Sequence, residues 1–194
     1  MKNFNIVNVL DTDLTCYPDN IFPPGEQKEI IQIGLSMVDL RSLTIVKRVS
    51  IPVVPQMSKI SQYCTDLTGW TYAKLSRQGV TFAEACRRLV KNGSVGRLLV
   101  TDTDDELQPF RNQCALAGVN YPFGDSVLNL STVFALMADQ RRNLPLEAKL
   151  AQFGLKFEGL QHRADVDAFN IARLFIELVS KGRLACGNIA KQTS

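Results

Sequence analysis

The order of the hydrophobic segments restricts the fold of this chain more than any other feature. Three β-branched segments come first, at residues 4–10, 30–40 and 44–53, and each has the length and composition typical of a strand. The short turn at Arg41-Ser42 favours an antiparallel hairpin between the second and third segments. A parallel sheet built from repeated strand–helix units alone would not begin in this way.

Helical patterns and short strands then alternate along the rest of the chain. Helices are predicted at residues 59–67, 82–91, 105–117, 132–140, 145–154 and 165–180, and short strands at residues 98–100 and 126–130. The order predicts an α/β fold with a mixed five-stranded sheet flanked by helices. We expect one domain over residues 1–183 and a loose C-terminal tail over residues 184–194.

Composition narrows the class of protein. No apolar run reaches the roughly 20 residues of a membrane span, and the N-terminus lacks the pattern of a secretory signal, so a cytoplasmic protein is expected. The five cysteines are widely spaced without a CxxC pair, which argues against a zinc ribbon and a disulfide framework. The net charge of +3 only weakly suggests an anionic partner. Candidate phosphate contacts, which are equally typical of solvated surface, are Lys47-Arg48, Arg87-Arg88 and Arg141-Arg142.

Acidic residues follow the first predicted strand. Asp11 and Asp13 are two residues apart, so on a strand they share one face with a rise of about 6.6 Å between them. Two carboxylates at the end of a buried strand repel each other and are costly to keep ionised without a cation. A turn or a helix cap is the alternative interpretation of this pair.

Two further clusters have the same character. Asp102, Asp104 and Asp105 lie between a short strand and a helix, where helix capping alone would also favour Asp. His162 is the only histidine in the chain, and it precedes Asp167 by five residues at the start of the last helix. Taken alone, that segment is also typical of a loop histidine and a helix-start aspartate.

Taken together, the three clusters resemble the DEDDh 3′–5′ exonucleases of the ribonuclease T and proofreading-exonuclease superfamily. Within it the chain is most similar to the branch of the histone-mRNA 3′ exonucleases and KapD-like bacterial proteins. The similar segments are VLDTDLTCY (9–17), EIIQIGLSMVDL (29–40), SQYCTDLTG (61–69), LLVTDTDDELQPFRNQC (98–114) and HRADVDAFNIARL (162–174). The resemblance implies a ribonuclease H-like fold.

The resemblance also implies a set of metal ligands and a general base. Asp11 matches the first-motif Asp, Asp13 takes the place of the family's Glu, and Asp167 matches the last Asp. Asp105 aligns with the second-motif Asp by its distance to Phe110 and Cys114, with Asp102 and Asp104 as alternatives. His162 matches the general base, and Arg163 stands where a related class has a tyrosine.

The implied cofactors are two Mg²⁺ or Mn²⁺ ions in the active site. Such a pair can clamp the attacking and leaving oxygens of a phosphodiester, and hard oxygen ligands suit both ions. In this hypothesis Asp11 bridges the ions, Asp13 and Asp167 complete one site, and Asp105 binds the second ion largely through water. His162 removes a proton from the attacking water, since histidine titrates close to neutral pH.

Substrate contacts are implied by the same resemblance. The expected contacts with the 3′-terminal nucleotide are Leu14, Thr15, Cys16, Tyr63, Leu67, Thr68 and Gly69. Tyr63 matches an aromatic residue that stacks on a base, and such stacking tolerates any sequence. An ordinary half-buried aromatic residue is the alternative for Tyr63.

Two departures from the family pattern bear on activity. Asp13 is one methylene shorter than Glu, so its carboxylate falls short by about 1–1.5 Å. Asp104 stands where relatives often have an aromatic residue, which adds negative charge near the phosphates. Lower activity or a shift in metal preference towards Mn²⁺ is the expected effect of the shorter Asp13.

The function implied by the resemblance is removal of nucleoside monophosphates from single-stranded 3′ ends, with RNA favoured over DNA. The alternatives are a nucleic-acid-binding or scaffold protein with a decayed site, motivated by Asp13 and Asp104, and a proofreading exonuclease acting on DNA. The expected partner is the 3′ end of a single strand and no membrane, and a homodimer or a protein partner is left open.

Overall fold

The fold is a mixed sheet between two groups of helices, and the computed structural model describes residues 5–138 and 144–192. The strands β1 to β5 span Ile6–Leu14, Ile30–Asp39, Thr44–Pro52, Leu99–Thr101 and Val127–Asn129. The helices α1 to α7 span Gln62–Thr68, Tyr72–Gln78, Phe82–Lys91, Leu107–Leu116, Leu130–Ala138, Leu146–Ala151 and Ala164–Gln192. The predicted five-stranded mixed sheet flanked by helices is confirmed.

The sheet order β3-β2-β1-β4-β5 places β1 at the centre. Strand β1 is antiparallel to β2 and parallel to β4, while β5 extends the parallel part. In the antiparallel register Asp11 lies opposite Gly34 and Asp13 opposite Gln32. Because the carboxyl ends of parallel strands meet at one edge of a sheet, residues that follow β4 come next to those at the end of β1.

The two faces of the sheet carry separate hydrophobic cores. Leu10, Ile33 and Leu35 face α3 and α4, where Phe110 is fully buried. The opposite face, which includes Val7 and Val9, packs against α5, α6 and α7. This alternation along β1 is the period of two that a strand imposes, and it directs every second side chain toward α7.

Several predicted elements match the structure closely. The hairpin of β2 and β3 is confirmed, and so is α3, where the hydroxyl of Thr81 accepts from the Glu84 N–H at 3.3 Å as an N-cap. Gly69, with φ of 73°, ends α1 in the left-handed conformation expected of a C-terminal glycine. Helix α2 was missed, although Thr71 caps it through the Lys74 N–H at 3.2 Å.

The ends of β1 and α7 differ from the prediction. Strand β1 runs to Leu14, so Asp11 and Asp13 lie inside it and not beyond its end. Helix α7 continues through Gly182 to Gln192, past the end predicted at residue 180. The tail over residues 184–194 stays a prediction, because helical backbone up to Gln192 does not decide whether this segment belongs to the domain. One glycine costs a helix only about 1 kcal/mol, which its neighbours can offset. The limit of the exonuclease domain at residue 183 stays a prediction.

Some of the sequence features lie outside the described residues. Arg141-Arg142 belongs to the undescribed segment, as does Gln140 at the end of the helix predicted at residues 132–140. The four cysteines whose side chains are described, Cys16, Cys64, Cys86 and Cys114, are free thiols. Across residues 5–138 and 144–192, no helix combines the length and apolar character that crossing a bilayer requires.

A glycine on β2 lets the start of α7 approach the sheet. A Cβ atom built on Gly34 would stand 1.9 Å from the Ala164 carbonyl oxygen and 2.5 Å from the Asp165 nitrogen. Those contacts are with backbone, so no rotation of a side chain could relieve them. Gly34 faces Asp11 across the β1–β2 ladder, and this close approach therefore sets the distance between α7 and the acidic end of β1.

We expect Gly34→Ala to destabilise the protein by at least about 1–3 kcal/mol, because α7 must move off the sheet to admit the methyl group. For a chain of this size that corresponds to a fall in Tm of about 2–4 °C per kcal/mol, measured by thermal denaturation. Gly124→Ala is the matched control, because its Cβ would meet its nearest atom at an ordinary 3.6 Å. Equal Tm values for the two variants would contradict the packing argument.

Candidate active site

Acidic side chains from separate parts of the chain line one cavity of about 260 Å³. They come from β1, from the segment between β4 and α4, and from the first turn of α7. The ionisable residues lining it are Asp11, Asp13, Asp102, Glu106, His162 and Asp167. The predicted convergence of the three acidic clusters is thus present in the structure.

The pair on β1 continues the face that packs against α7. Val7 and Val9 are fully buried on that face, and Asp11 and Asp13 follow at the same two-residue spacing. Asp13 is itself only 8% exposed, and its Oδ2 accepts the backbone N–H of Ala164 at 2.9 Å. The first residue of α7 therefore holds Asp13 by a hydrogen bond.

The second cluster supplies a different residue from the one expected. Asp105 is exposed and accepts from the Thr103 hydroxyl at 3.1 Å, and neither it nor Asp104 lines the cavity. Glu106 enters the cavity instead. It precedes Phe110 by four residues, which places the two on one side of α4, toward the sheet. Spacing along the chain does not separate Glu106 from the adjacent Asp105, so only the direction of the side chain in the structure identifies it.

Asp102 lines the cavity but is already paired with a cation. Its Oδ1 accepts from the Nζ of Lys149, a side chain only 1% exposed, and from the Ser131 hydroxyl at 3.1 Å. Lys149 also donates to that hydroxyl at 2.7 Å. Lys149 already compensates the charge of Asp102, which makes this carboxylate a weaker candidate for a metal ligand than the carboxylates without such a partner.

The start of α7 and the loop before it provide the remaining groups. Asp167 Oδ2 accepts the backbone N–H of Arg163 at 2.9 Å, which fixes the carboxylate at the helix N-terminus. His162 is exposed and has a left-handed backbone, with φ of 59°. This backbone conformation turns the chain immediately before the helix, and His162 borders the same cavity as Asp11 and Asp167.

Burial raises the pKa of four carboxyl groups of the cavity, Asp11, Asp13, Glu106 and Asp167. Burial raises the pKa of Asp13 and of Glu106 to about 7, and that of Asp167 to about 6. Burial also raises the pKa of Asp11 well above its ordinary value, with the charges of Glu106, Asp13 and Asp167 as further causes. Hydrogen bonds from Ala164 and Arg163 partly oppose the shifts at Asp13 and Asp167.

The donor set fits hard divalent cations. Glu106 Oε2 is buried without a hydrogen-bond partner in the described part of the chain, although a carboxylate oxygen in such a place needs one. Within that part no three acidic, histidine or cysteine side chains are already gathered as a ready metal cage. Carboxylates around an open cavity suit Mg²⁺, which keeps several of its waters.

Helix α1 forms a surface beside β1. The Ser61 hydroxyl donates to the Cys16 carbonyl at 2.6 Å, and the Cys64 thiol donates to the Leu14 carbonyl at 3.7 Å. Tyr63 and Leu67, one helical turn apart, are 47% and 37% exposed. We call these two side chains the α1 platform. They have the exposure that stacking on a base requires.

The other expected substrate contacts divide by exposure. Leu14 and Cys16 are half-buried, and Gly69 ends α1. Thr15 is fully buried, with its hydroxyl donating to the Gln27 carbonyl at 3.1 Å and accepting from the Glu29 N–H at 2.9 Å. Thr68 is buried too, and its hydroxyl donates to the Cys64 carbonyl at 2.8 Å. Both hydroxyls are engaged in hydrogen bonds within the protein and are therefore not free for a ligand.

Comparisons with known proteins identify the family of this chain. The model of the exonuclease family RNase_T matches residues 9–175. The chain is 25% identical over 190 residues to 3′-5′ exoribonuclease 1 of Homo sapiens, covering 92% of this chain and 54% of that protein. It is 22% identical to 3′-5′ exonuclease Snipper of Drosophila melanogaster, with coverage of 95% and 73%. The chain thus spans about half the length of the exoribonuclease relatives that it matches.

The fold is also that of a solved nuclease. The nuclease domain of 3′hExo, described as a DEDDh family member bound to rAMP, superposes with a TM-score of 0.84 at 25% identity. The superposition covers 93% of this chain and 94% of that domain. It confirms the ribonuclease H-like class and the family resemblance seen in the sequence.

We expect Mg²⁺ to stabilise the protein more as the pH rises. The raised pKa values mean that folding favours protonated carboxyls, so the metal-free protein loses stability as the pH rises through about 6–7. A cation binds the ionised form and restores that stability. Mg²⁺ should therefore raise Tm by several degrees at pH 8 and by about 1 °C or less at pH 5.

Thermal denaturation in Mg²⁺ or in EDTA, at matched ionic strength, measures this difference. Asp11→Asn is the control, because it removes the carboxylate on which the other charges of the cavity act most. An Mg²⁺ effect of equal size at pH 5 and pH 8 would contradict the expectation.

Proposed function

The chain belongs to the exonuclease family, and we propose that it is a metal-dependent 3′–5′ exonuclease that releases nucleoside monophosphates from single-stranded 3′ ends. One observation carries the proposal, which is that four carboxylates and one histidine border a single cavity. They are Asp11, Asp13, Glu106, Asp167 and His162. RNA is the proposed substrate in preference to DNA, with support from the relatives named as exoribonucleases.

The proposed metal ligands are the four carboxylates without a cation of their own. The charges of Glu106, Asp13 and Asp167 all act on Asp11, so Asp11 is central and suited to a bridging position. Asp13 and Asp167 are both held by backbone N–H groups at the start of α7. Glu106 takes the role that the sequence had assigned to Asp105. Two Mg²⁺ or Mn²⁺ ions bound there would stabilise the attacking and leaving oxygens of the phosphodiester.

Side-chain lengths support Glu106 as the second-motif ligand. Asp13 is one methylene shorter than the glutamate of the family pattern, and Glu106 is one methylene longer than the family's second-motif aspartate. Both residues line the same cavity. The number of carboxylates is therefore preserved, which favours an active enzyme over a scaffold with a decayed site.

The proposed base is His162, and the proposed nucleotide contact is the α1 platform. An imidazole at the mouth of the cavity can accept a proton from the attacking water, and such base catalysis is typically worth about 10²–10⁴-fold. Tyr63 and Leu67 offer apolar surface to the terminal base. Base stacking on an aromatic ring depends little on sequence, so the platform suits an enzyme that removes successive nucleotides.

Degradation of an end-labelled oligonucleotide tests the proposed activity. With a 5′ label and Mg²⁺ or Mn²⁺, the wild-type protein should give a ladder that shortens from the 3′ end, faster on RNA than on a DNA of the same sequence. Asp11→Asn should give no ladder, because the central carboxylate is lost. Binding without shortening in both metals would instead indicate a scaffold protein, and faster cleavage of DNA would indicate a proofreading-type enzyme.

The second-motif assignment has a matched pair of variants. Glu106→Gln should lower kcat by about 100-fold or more, because it removes a negative charge from the cavity with almost no change of shape. Asp105→Asn makes the same chemical change on the adjacent exposed residue and should retain wild-type turnover. The initial rate of oligonucleotide shortening is the measurement. The reverse order of the two variants would return the assignment to Asp105.

A further inference from the structure

Gln32 is a buried amide whose four hydrogen-bonding positions all have partners. Its Nε2 donates to the Ser50 hydroxyl at 2.9 Å and to Asp165 Oδ1 at 2.8 Å. Its Oε1 accepts from the Trp70 indole N–H at 2.8 Å and from Arg163 Nε at 3.3 Å. Gln32 itself is 0% exposed, so these protein groups provide the bonds that water would otherwise supply.

Two of these partners flank the residue that holds Asp13. Arg163 and Asp165 stand on either side of Ala164, whose N–H donates to Asp13 Oδ2 at 2.9 Å. Gln32 also lies directly opposite Asp13 in the β1–β2 ladder. Gln32 is therefore the strand neighbour of Asp13, and its amide also bonds to both residues that flank the N–H donor of the Asp13 carboxylate.

The third partner is Trp70, which lies next to helix α1. Trp70 follows Gly69 at the end of α1 and is 4% exposed. Its ring packs with Cys64 of that helix, and the Arg163 guanidinium stacks on it at 4.9 Å from the ring centroid. Gln32 and Arg163 thus connect Trp70, and through it α1, to the start of α7.

We propose that Gln32 is a positioning residue that couples the carboxylate cavity to the α1 platform, so that cation binding at Asp13 and Asp167 adjusts the surface that receives the terminal nucleotide. An apolar side chain could fill the same space, but it could not fix the direction of Trp70, Arg163 and Asp165 together. The consequence for turnover rests on the proposed exonuclease function. The coupling itself does not, because it concerns only the positions of side chains.

A reversal of hydrogen-bond polarity tests this role. Gln32→Glu keeps the acceptor for Trp70 and Arg163 but brings a carboxylate against Asp165, so that contact becomes repulsive. In Gln32→Glu/Asp165→Asn the Asn amide donates to the new carboxylate, and the Ser50 hydroxyl can donate as well, so all four contacts return. Ser50→Ala is the control, because Ser50 is exposed and water can replace its hydroxyl.

The first readout is the fluorescence of Trp70, the only tryptophan in the chain, which requires no turnover. Titration with Mg²⁺ at pH 8, at constant ionic strength, should change its emission in the wild type and in Ser50→Ala. The change should be absent in Gln32→Glu and return in the double variant. Asp11→Asn should abolish it, which assigns the response to the carboxylate cavity.

The second readout is the kinetics of oligonucleotide shortening. Gln32→Glu should raise KM and lower kcat, with kcat/KM reduced about fivefold or more, and the double variant should recover most of the loss. A residue with only a structural role would lower Tm and leave KM, kcat and the Mg²⁺ response of the folded fraction unchanged.

The outcomes separate the two proposals. In one outcome the wild type fails to shorten RNA or DNA, while the Mg²⁺-dependent emission change is lost in Gln32→Glu and returns in the double variant. That result overturns the exonuclease function and supports the coupling. An emission response that is absent in the wild type, that persists in Gln32→Glu, or that is not restored in the double variant overturns the coupling, whatever the activity.

Discussion

Repulsion among carboxylates held in one small cavity is the interaction on which the arrangement of this protein depends. Asp11, Asp13, Glu106 and Asp167 are drawn from three parts of the chain, and burial raises the pKa of each. Such a cluster lowers the stability of the metal-free protein above neutral pH, and folding tolerates it because backbone N–H groups and a large core offset the cost. A divalent cation relieves this repulsion when it binds. The carboxylate cluster that destabilises the metal-free protein therefore favours cation binding.

Contacts around the cavity hold the carboxylates in place despite their mutual repulsion. Gly34 lets α7 lie against β2, and this brings the Ala164 N–H to Asp13. Lys149 neutralises Asp102, so the fifth acidic side chain does not add its full charge to the cavity. Gln32 bonds to both residues that flank Ala164. Each of these contacts acts on the position of a carboxylate, and none of them needs to touch a substrate.

The second acidic cluster shows that spacing alone does not decide which of two neighbouring carboxylates enters the cavity. Asp105 and Glu106 are adjacent acidic residues, and distance along the chain to Phe110 and Cys114 did not separate them. In the structure α4 begins at Leu107, and Glu106 lies one helical turn before the fully buried Phe110. Adjacent residues on a helix point about 100° apart, so only one of the two carboxylates can face the sheet. The direction of α4 relative to β1 therefore decides which of the two carboxylates faces the sheet.

Periodicity and turn chemistry in the sequence determined the element order apart from α2, the mixed sheet, the β2–β3 hairpin and the Thr81 cap, because these depend on local preferences. The sequence also predicted three acidic clusters and one histidine as the functional residues, and the structure brings members of each to one cavity. The tertiary structure decided what depends on contacts between distant residues. It placed Glu106 in the cavity and Asp105 in solvent, used the hydroxyls of Thr15 and Thr68 internally, and extended α7 past Gly182. Those outcomes depend on burial and direction in three dimensions, which no spacing along the chain encodes.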